Sequence, residues 1–309
     1  MAYQLEAREG LPAGIERIIR EQIERAIEEL TGQTNNSQDE AVHEARKCFK
    51  KIRAVLRLVR AQLPQAVYQR ENLCFRDAGR HLSDLRDAQV RLETLEKLAK
   101  EFPDAIPNQE MASVRLVLKA SYGAVSEQVL NGKEAVPSVV AALKAARERL
   151  AEWSLHHDNW SAIEGGLKRA YKQGRQGLRR AAAQPTVANL HSWRKRVKDL
   201  WYHLLILAPV WPRVMAALAK EARDLSDYLG DDHDLAVLHQ FIVESVEGSG
   251  NSAQLQGLIA LIERRRAQLQ WLAQSAGQRL YAEAPGDFVN RIGAYWQVWR
   301  SPLEERKEE

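Results

Sequence analysis

Apolar and polar positions recur with helical spacing between about residue 37 and residue 62. At 100° per residue, the apolar side chains of this segment fall on one side of a predicted helix. These side chains are Ala45, Phe49, Ile52, Val55, Leu56 and Val59. An apolar side of this width is typical of a helix that packs against a core.

The opposite side of the same predicted helix carries six cations and a histidine. These residues are His43, Arg46, Lys47, Lys50, Arg53, Arg57 and Arg60. Glu44 is the only acid in the run, and its position predicts that it points away from the cationic side. Like charges at i, i+3 and i+4 repel by about 0.2–0.5 kcal/mol per pair on an exposed helix. The pattern therefore predicts that this side faces an anion, although a solvated face is the ordinary alternative for one helix alone.

The remaining pattern predicts an all-α protein. In the first half, helices are predicted over residues 12–31, 37–62, 65–85, 86–101, 108–131 and 137–157. Ser37 and Glu40 have the spacing of a capping box at the start of the cationic helix. Runs of β-branched residues are short, so no strand is predicted.

The pattern of the first half recurs in the second half at an offset of 147 or 148 residues. His43-x-x-Arg46-Lys47-x-x-Lys50 is matched by His191-x-x-Arg194-Lys195-x-x-Lys198. Further matched positions are Pro64 and Pro212, Leu82 and Leu229, Asp87 and Asp234, Val90 and Val237, and Pro137 and Pro285. We therefore predict one domain over residues 1–309 with an internal duplication, residues 1–157 and 158–309, of about six helices each. The two cationic helices are expected to meet across a pseudo-twofold axis and to line a central basic cleft that attracts a multivalent anion.

The second half departs from this symmetry in two places. Its first helix is strongly basic, with four cations on one side, whereas the matching helix of the first half mixes Arg with Glu. The four are Lys168, Lys172, Arg175 and Arg179. In addition, Arg53 and Arg57 correspond to Trp201 and Leu205, so the second row loses its charge after Lys198. The sequence thus predicts a lopsided cleft that receives cations from the second helix of one half and the first helix of the other.

Charge is distributed unevenly along the chain. The net charge is +4, and 17 of the 45 Lys and Arg residues lie in residues 41–60, 165–180 and 191–198, with Glu44 as the only acid there. This segregation favours a local basic site on an otherwise ordinary protein. The two cysteines, Cys48 and Cys74, predict a reducing compartment without disulfides, and Cys48 is expected to be buried. Because neither a signal peptide nor an apolar membrane span is apparent, we expect a soluble cytoplasmic protein.

The duplicated motif resembles that of the CHAD family, the conserved histidine α-helical domain. The matching pieces are His43–Arg57 with Leu82–Val90, and His191–Tyr202 with Leu229–Val237. The resemblance implies an all-helical fold with twofold pseudosymmetry around a basic pocket that binds inorganic polyphosphate without catalysis, metal or cofactor. It places His43, Arg46, Lys47, Lys50, His191, Arg194, Lys195 and Lys198 in that pocket. It also makes storage granules, a polyphosphate-handling enzyme or a transport complex conceivable associates. The Glu-x-Glu-x-Lys element of the family's fused catalytic neighbour is not found, which favours a stand-alone binding module.

Two other classes of function remain open from the sequence. A nucleic-acid-binding protein would share the phosphate contacts but would interleave aromatic residues with the cations. Trp193, Trp201, Tyr202, Trp296 and Trp299 are instead expected in the core, because their spacing is helical.

A phosphohydrolase would need carboxylates that hold a divalent metal ion. The dipeptide His233-Asp234 resembles part of such a site, but a structural role shared with Asp87 is expected instead. Asp39 and Glu40, one turn from His43, have Val187 and Ala188 as their counterparts, so no metal pair is duplicated.

Overall fold

The computed structural model describes residues 3–103, 108–131, 135–153, 155–246 and 255–301. Within these ranges the chain forms eleven α-helices and no strand, so the predicted all-α class is confirmed. The helices are α1 (Leu11–Leu30), α2 (Gln38–Leu58), α3 (Gln65–His81), α4 (Ser83–Glu101), α5 (Asn108–Asn131), α6 (Ala135–Glu148), α7 (Ser161–Ala183), α8 (Val187–Ile206), α9 (Pro212–Val246), α10 (Gln256–Leu280) and α11 (Pro285–Arg300). None of the described helices is both long enough and apolar enough to cross a membrane.

The start of α2 is fixed by the predicted capping box. The Glu40 backbone amide donates to the Ser37 hydroxyl, and the Ser37 amide donates to the Glu40 carboxylate at 2.9 Å. These two bonds satisfy backbone donors that the first turn of a helix leaves unpaired.

At the other end of the first half, α6 ends at Glu148, followed by a short 3₁₀ helix over Arg149–Glu152, so the prediction of a helix to residue 157 was wrong.

The two halves differ in the segment that follows their cationic helix. In the first half the chain breaks at Leu82, between α3 and α4, rather than near Leu85 as predicted. The Ser83 hydroxyl donates to the Arg80 carbonyl at 2.8 Å and so takes up a carbonyl of the last turn of α3. In the second half α9 runs without a break through the matching position, where Gly230 packs against the Arg194 guanidinium. The second half therefore has five described helices instead of about six; the duplication itself stays a prediction.

Two apolar clusters hold the helices together. The main core combines residues of α1, α2, α7, α8 and α11 with the first part of α9, and its largest fully buried side chains include Trp193, Trp296 and Tyr171. A distal core forms where α4 and α5 pack with the second part of α9 and with α10. Tyr202 is also buried, and Trp201 and Trp299 lie partly buried against the main core, which confirms the interpretation of these aromatic residues as core.

The thiol of Cys48 is part of the main core. Only 2% of the residue is exposed, and burial raises the pKa of the thiol to about 11. The Cys48 and Cys74 thiols are both free. A buried thiol of raised pKa is a packing residue rather than a nucleophile, because the thiolate is the reactive form.

Helix α7 approaches its neighbours closely through three glycines. A Cβ added at Gly166 would lie 1.9 Å from the Leu58 carbonyl oxygen, and one at Gly177 would lie 2.7 Å from the Trp193 ring. Gly174 faces the Tyr281 hydroxyl in the same way. Real Cβ atoms do not come this close to other heavy atoms. The close packing of α7 on α2 and α8 therefore requires glycine at these positions.

We predict opposite effects of alanine at two adjacent glycines of α7. Gly166→Ala should lower the free energy of unfolding by at least about 2 kcal/mol, because backbone must move to admit the methyl group. Gly165→Ala should raise it by about 0.5–1 kcal/mol, since nothing lies within 4 Å and alanine favours the helix. Urea unfolding followed by circular dichroism measures both, and equal stabilities of the two variants would contradict the packing described.

Candidate functional site

Helices α2 and α8, which carry the two copies of the motif, pack against each other. The Arg57 guanidinium on α2 donates to the Asp199 carboxylate on α8 at 2.9 Å. Close by, the buried His203 ring donates through Nε2 to the Ala54 carbonyl at 2.8 Å. The two cationic segments are therefore neighbours, as the duplicated pattern led us to expect.

A cationic cluster lies where the two segments meet, defined here as Lys47 and Arg53 of α2 with Arg194, Lys195 and Lys198 of α8. Burial lowers the pKa of Lys195, and repulsion from Arg196, Arg53 and Arg194 lowers it further. Burial also lowers the pKa of Arg53 to about 10, with Arg57 adding to the effect.

Lys198 is the least solvated lysine of this cluster. Burial lowers its pKa to about 8, and the positive charges of Arg194 and Lys47 act in the same direction. Asp227 and Asp234 of α9 oppose this effect. The second row is thus free of acids along the sequence but not in space, because α9 brings carboxylates toward Lys198. Nothing in the local pattern of residues 191–198 could have revealed this.

Three of the predicted site residues on α2 are already engaged. Lys47 donates to the Glu44 carboxylate at 2.7 Å, and Glu44 also receives Arg25 of α1. The prediction that Glu44 points away from the cationic side was therefore wrong. Arg57 is held by Asp199, and Arg46 donates to the Gly79 carbonyl at 2.9 Å. These contacts give Arg46 and Arg57 a structural role in joining helices.

Four other cations meet no carboxylate at ion-pair distance within the described ranges: Arg53, Arg194, Lys195 and Lys198. The Arg53 Nε donates to the neutral Asn72 side chain at 3.1 Å. The Arg194 Nε is buried and has no hydrogen-bond partner there. Cations that lack a carboxylate at ion-pair distance and are partly desolvated are ready to bind an anion.

His191 and His233 stack beside this cluster, with ring centroids 4.2 Å apart and planes tilted by 32°. Burial lowers the pKa of His191 to about 4, and His233, Lys195 and Arg194 contribute. The pKa of His233 is also lowered, mainly by burial, despite Asp232 and Asp87 nearby. His191 is therefore neutral at pH 7 in the unliganded chain. His43, at the start of the other row, is half-buried.

The dipeptide His233-Asp234 is engaged in packing and in the local field. His233 stacks on His191, and Asp234 acts on Lys198. Across the residues that the structure describes, no group of three or more His, Cys, Asp or Glu side chains has the arrangement of a metal site.

The basic stripe of α7 faces away from the cationic cluster. On α7 the stripe lies about 170° around the helix from Gly177, which touches Trp193 of α8. On α8 the cationic row lies about 150° from Trp193, on the other side. Arg175 instead lies near Tyr171 and Glu283, by the loop between α10 and α11. This geometry argues against the prediction that these cations complete the same lopsided cleft, which stays a prediction.

The predicted site residues differ in their exposure. Lys50, Lys195, Lys168, Lys172 and Arg179 are exposed. The half-buried ones are His43, Arg46, Lys47, Arg53, Arg57, Arg175, His191, Arg194 and Lys198. The sequence did not identify Asp199, Asp227 or His233 as neighbours of the cluster.

Comparison with known proteins places the chain in a family. The profile of the CHAD domain matches residues 17–243, and the chain therefore belongs to the CHAD domain family. Among solved structures, the crystal structure of the CHAD domain from the plant Ricinus communis is similar, with a TM-score of 0.59 and 19% identity. That alignment covers 98% of this chain and 97% of the plant domain, and it shows a shared fold. No curated protein sequence gives a significant match.

We predict that removing the charge of Lys198 stabilises the unliganded protein. Lys198→Met keeps the apolar stem, and at pH 7 it should raise the free energy of unfolding by on the order of 1–2 kcal/mol. The cost of the charge is fully present below the folded-state pKa of about 8. It decreases as the pH rises from about 8 toward the pKa of the unfolded lysine, about 10.4, and vanishes above that pKa, where the lysine is neutral in both states. Chemical unfolding of both proteins between pH 7 and pH 10 measures this convergence.

Lys47→Met is the matched control, since it removes the ion pair with Glu44 and should give no gain in stability. If the difference in the free energy of unfolding between Lys198→Met and the wild type does not change with pH, the interpretation of Lys198 as a destabilising buried charge is contradicted.

Proposed function

We propose that this CHAD domain protein binds inorganic polyphosphate, without catalysis, at the cationic cluster between α2 and α8. The observation that carries the proposal is the set of four cations that have no carboxylate at ion-pair distance within the described part of the chain, where the two motif helices meet. Such a concentration of like charge is unfavourable in the unliganded state and is relieved by a multivalent anion.

The geometry of the α8 row suits a linear chain of phosphates. Arg194 and Lys198 are four residues apart, or about 6 Å along the helix, with Lys195 on the same side. Arginine offers a fork for two phosphate oxygens, while lysine supplies a mobile point charge. Several such contacts form without strict geometry, and release of counterions then contributes much of the affinity, as it does for nucleic-acid backbones.

The proposed site draws unequally on the two copies of the motif. On α8, Arg194, Lys195 and Lys198 are all without a carboxylate partner among the residues described, whereas on α2 Lys47 is paired with Glu44. Arg53 is the α2 residue that reaches this group, and its effect on the pKa of Lys195 supports their proximity. We infer that the α8 row and Arg53 make the main contacts and that Lys47 exchanges Glu44 for phosphate.

The position of the aromatic side chains favours polyphosphate over nucleic acid. Trp193 and Tyr202 of α8 are buried in the main core, and Trp201 stacks on Tyr202. Stacking of bases needs exposed rings beside the cations. A partner recognised through phosphate alone fits the cluster better, and competition between long polyphosphate and single-stranded RNA at physiological salt compares the two directly.

We predict that three uncompensated cations carry most of the affinity. The triple variant Arg53→Gln, Lys195→Gln and Lys198→Gln should weaken tripolyphosphate binding by 100-fold or more, at about 1–2 kcal/mol per charged contact. The slope of log affinity against log salt should become shallower by about two, using roughly 0.7 per contact as for single-stranded nucleic acids. Isothermal titration calorimetry at several salt concentrations measures both quantities.

A control variant removes the same number of charges elsewhere. Arg20→Gln, Arg115→Gln and Lys220→Gln alter cations that pair with carboxylates on α1, between α4 and α5, and on α9. This variant should keep the affinity within about twofold, because distant surface charges are screened. Equal losses in both triple variants would show that net charge, and not the cluster, determines binding.

We also predict that the bound polymer is not cleaved. Incubation with tripolyphosphate and Mg²⁺ or Mn²⁺ should release no phosphate above a protein-free blank, because hydrolysis of this kind needs carboxylates to hold the metal ion. A colorimetric phosphate assay measures this, and metal-dependent release that survives repurification would instead establish a phosphohydrolase.

A further inference from the structure

The outer side of α7 carries a second concentration of positive charge that the α2–α8 cluster does not use. Its members, called here the α7 stripe, are Lys168, Lys172, Arg175 and Arg179, flanked by Arg169 and Arg180. All are exposed except Arg175, which is half-buried. From Lys168 to Arg180 the row is about 18 Å long, at 1.5 Å per residue.

None of the six cationic side chains forms an ion pair or hydrogen bond with another residue of the described ranges. Helix α1 is the matching helix of the first half by sequence position. Its cations show how positive charges on a solvated helix side are ordinarily balanced by acids. There Arg17 bridges Glu9 and Glu21, Arg20 pairs with Glu16, and Arg25 reaches Glu29 and Glu44. On α7 the only acid is Glu164 of the first turn, for which no ion pair is seen within the described ranges. The four residues Lys168, Lys172, Arg175 and Arg179 therefore form three repulsive i, i+3 or i+4 pairs, each costing about 0.2–0.5 kcal/mol.

The α7 stripe is also held in a fixed position. The opposite side of α7 is buried, and its three close-packed glycines lock the helix against α2, α8 and Tyr281. Because the helix is fixed, the α7 stripe stays at the surface on the side opposite Gly177, whereas the cluster lies on the side of α8 turned away from Trp193. At interaxial distances of about 8–10 Å, a short phosphate chain cannot touch both surfaces at once.

The outer side of α7 offers cations but no aromatic ring. The other exposed residues of α7 are small or polar, such as Gly165 and Gln176. Such a surface recognises a run of negative charge and not a base or an apolar side chain. Its straight, evenly spaced row complements an extended polyanion.

We propose that the α7 stripe is a second attachment surface for polyphosphate, through which one long chain held in the α2–α8 cluster of one molecule binds α7 of another and so joins copies of this protein into assemblies. This inference rests on the proposed polyphosphate binding. Opposed binding surfaces on one rigid body make a protein bivalent, and bivalence toward a polymer leads to cross-linking once the polymer spans more than one molecule.

The experiment compares tripolyphosphate with long-chain polyphosphate on the full-length protein. The test variant combines Lys168→Gln, Lys172→Gln, Arg175→Gln and Arg179→Gln. The control variant removes four cations elsewhere, by glutamine at the exposed Lys144 and Lys220 and at the half-buried Arg20 and Arg115. Circular dichroism confirms that both are folded; the test variant loses only repulsive pairs and should melt no lower than the wild type.

Two measurements are made on each protein. Tripolyphosphate affinity, by calorimetry, should be the same within about twofold for wild type, test variant and control. With long-chain polyphosphate, the light scattering of wild type and control should rise by roughly tenfold or more, whereas that of the test variant should stay close to that of a single protein molecule.

The outcomes separate this inference from the proposed function. Wild-type protein that binds tripolyphosphate but does not assemble on long chains, or a test variant that assembles like the control, would overturn the role of α7 and leave the α2–α8 site standing. Wild-type protein that binds neither form of the polymer would overturn both.

Discussion

The junction between α2 and α8 is the constraint on which the rest of the arrangement depends. Asp199, 8% exposed, accepts from Arg57 across the junction and from Arg196 on its own helix. One buried carboxylate thereby joins two helices whose exposed sides repel each other. Removing either partner of a buried pair leaves an uncompensated charge, at a cost on the order of 3 kcal/mol, so this contact is costly to separate. The buried His203, donating to the Ala54 carbonyl, adds a second bond between the same two helices.

The cations differ in whether they are paired within the fold, and this difference follows from the junction. Arg57 and Arg46 have their hydrogen bonds within the fold, and Lys47 has an adjacent glutamate. Arg194, Lys195 and Lys198 extend from the other side of the junction without carboxylates of their own among the described residues. The residues that hold the helices together are therefore distinct from the residues available to a ligand, although all of them belong to the same two sequence motifs.

The sequence predicted what depends on periodicity and local chemistry. It identified the all-α class, the apolar sides of the helices, the capping box at Ser37, the buried Cys48, and the proximity of the two motif helices. It could not show which helix side meets which neighbour, because that depends on close approaches such as Gly177 against Trp193. For this reason the sequence alone could not assign the direction of the α7 stripe. The contacts of Glu44 with Arg25 and of Lys198 with the α9 acids were missed for the same reason, since they join residues of different helices.

Repulsion among the cations of the cluster also explains why a neutral histidine is suited to the position beside them. A third or fourth positive charge beside Arg194 and Lys195 would add to a cost already visible in the lowered pKa of Lys198. By stacking on His233 and remaining neutral, His191 fills the space beside the row and offers a hydrogen-bonding ring without adding charge. An arriving polyanion changes this balance, because negative charge raises the pKa of every nearby base. Binding should therefore be accompanied by proton uptake at the site. In the unliganded protein, burial and repulsion limit the positive charge there.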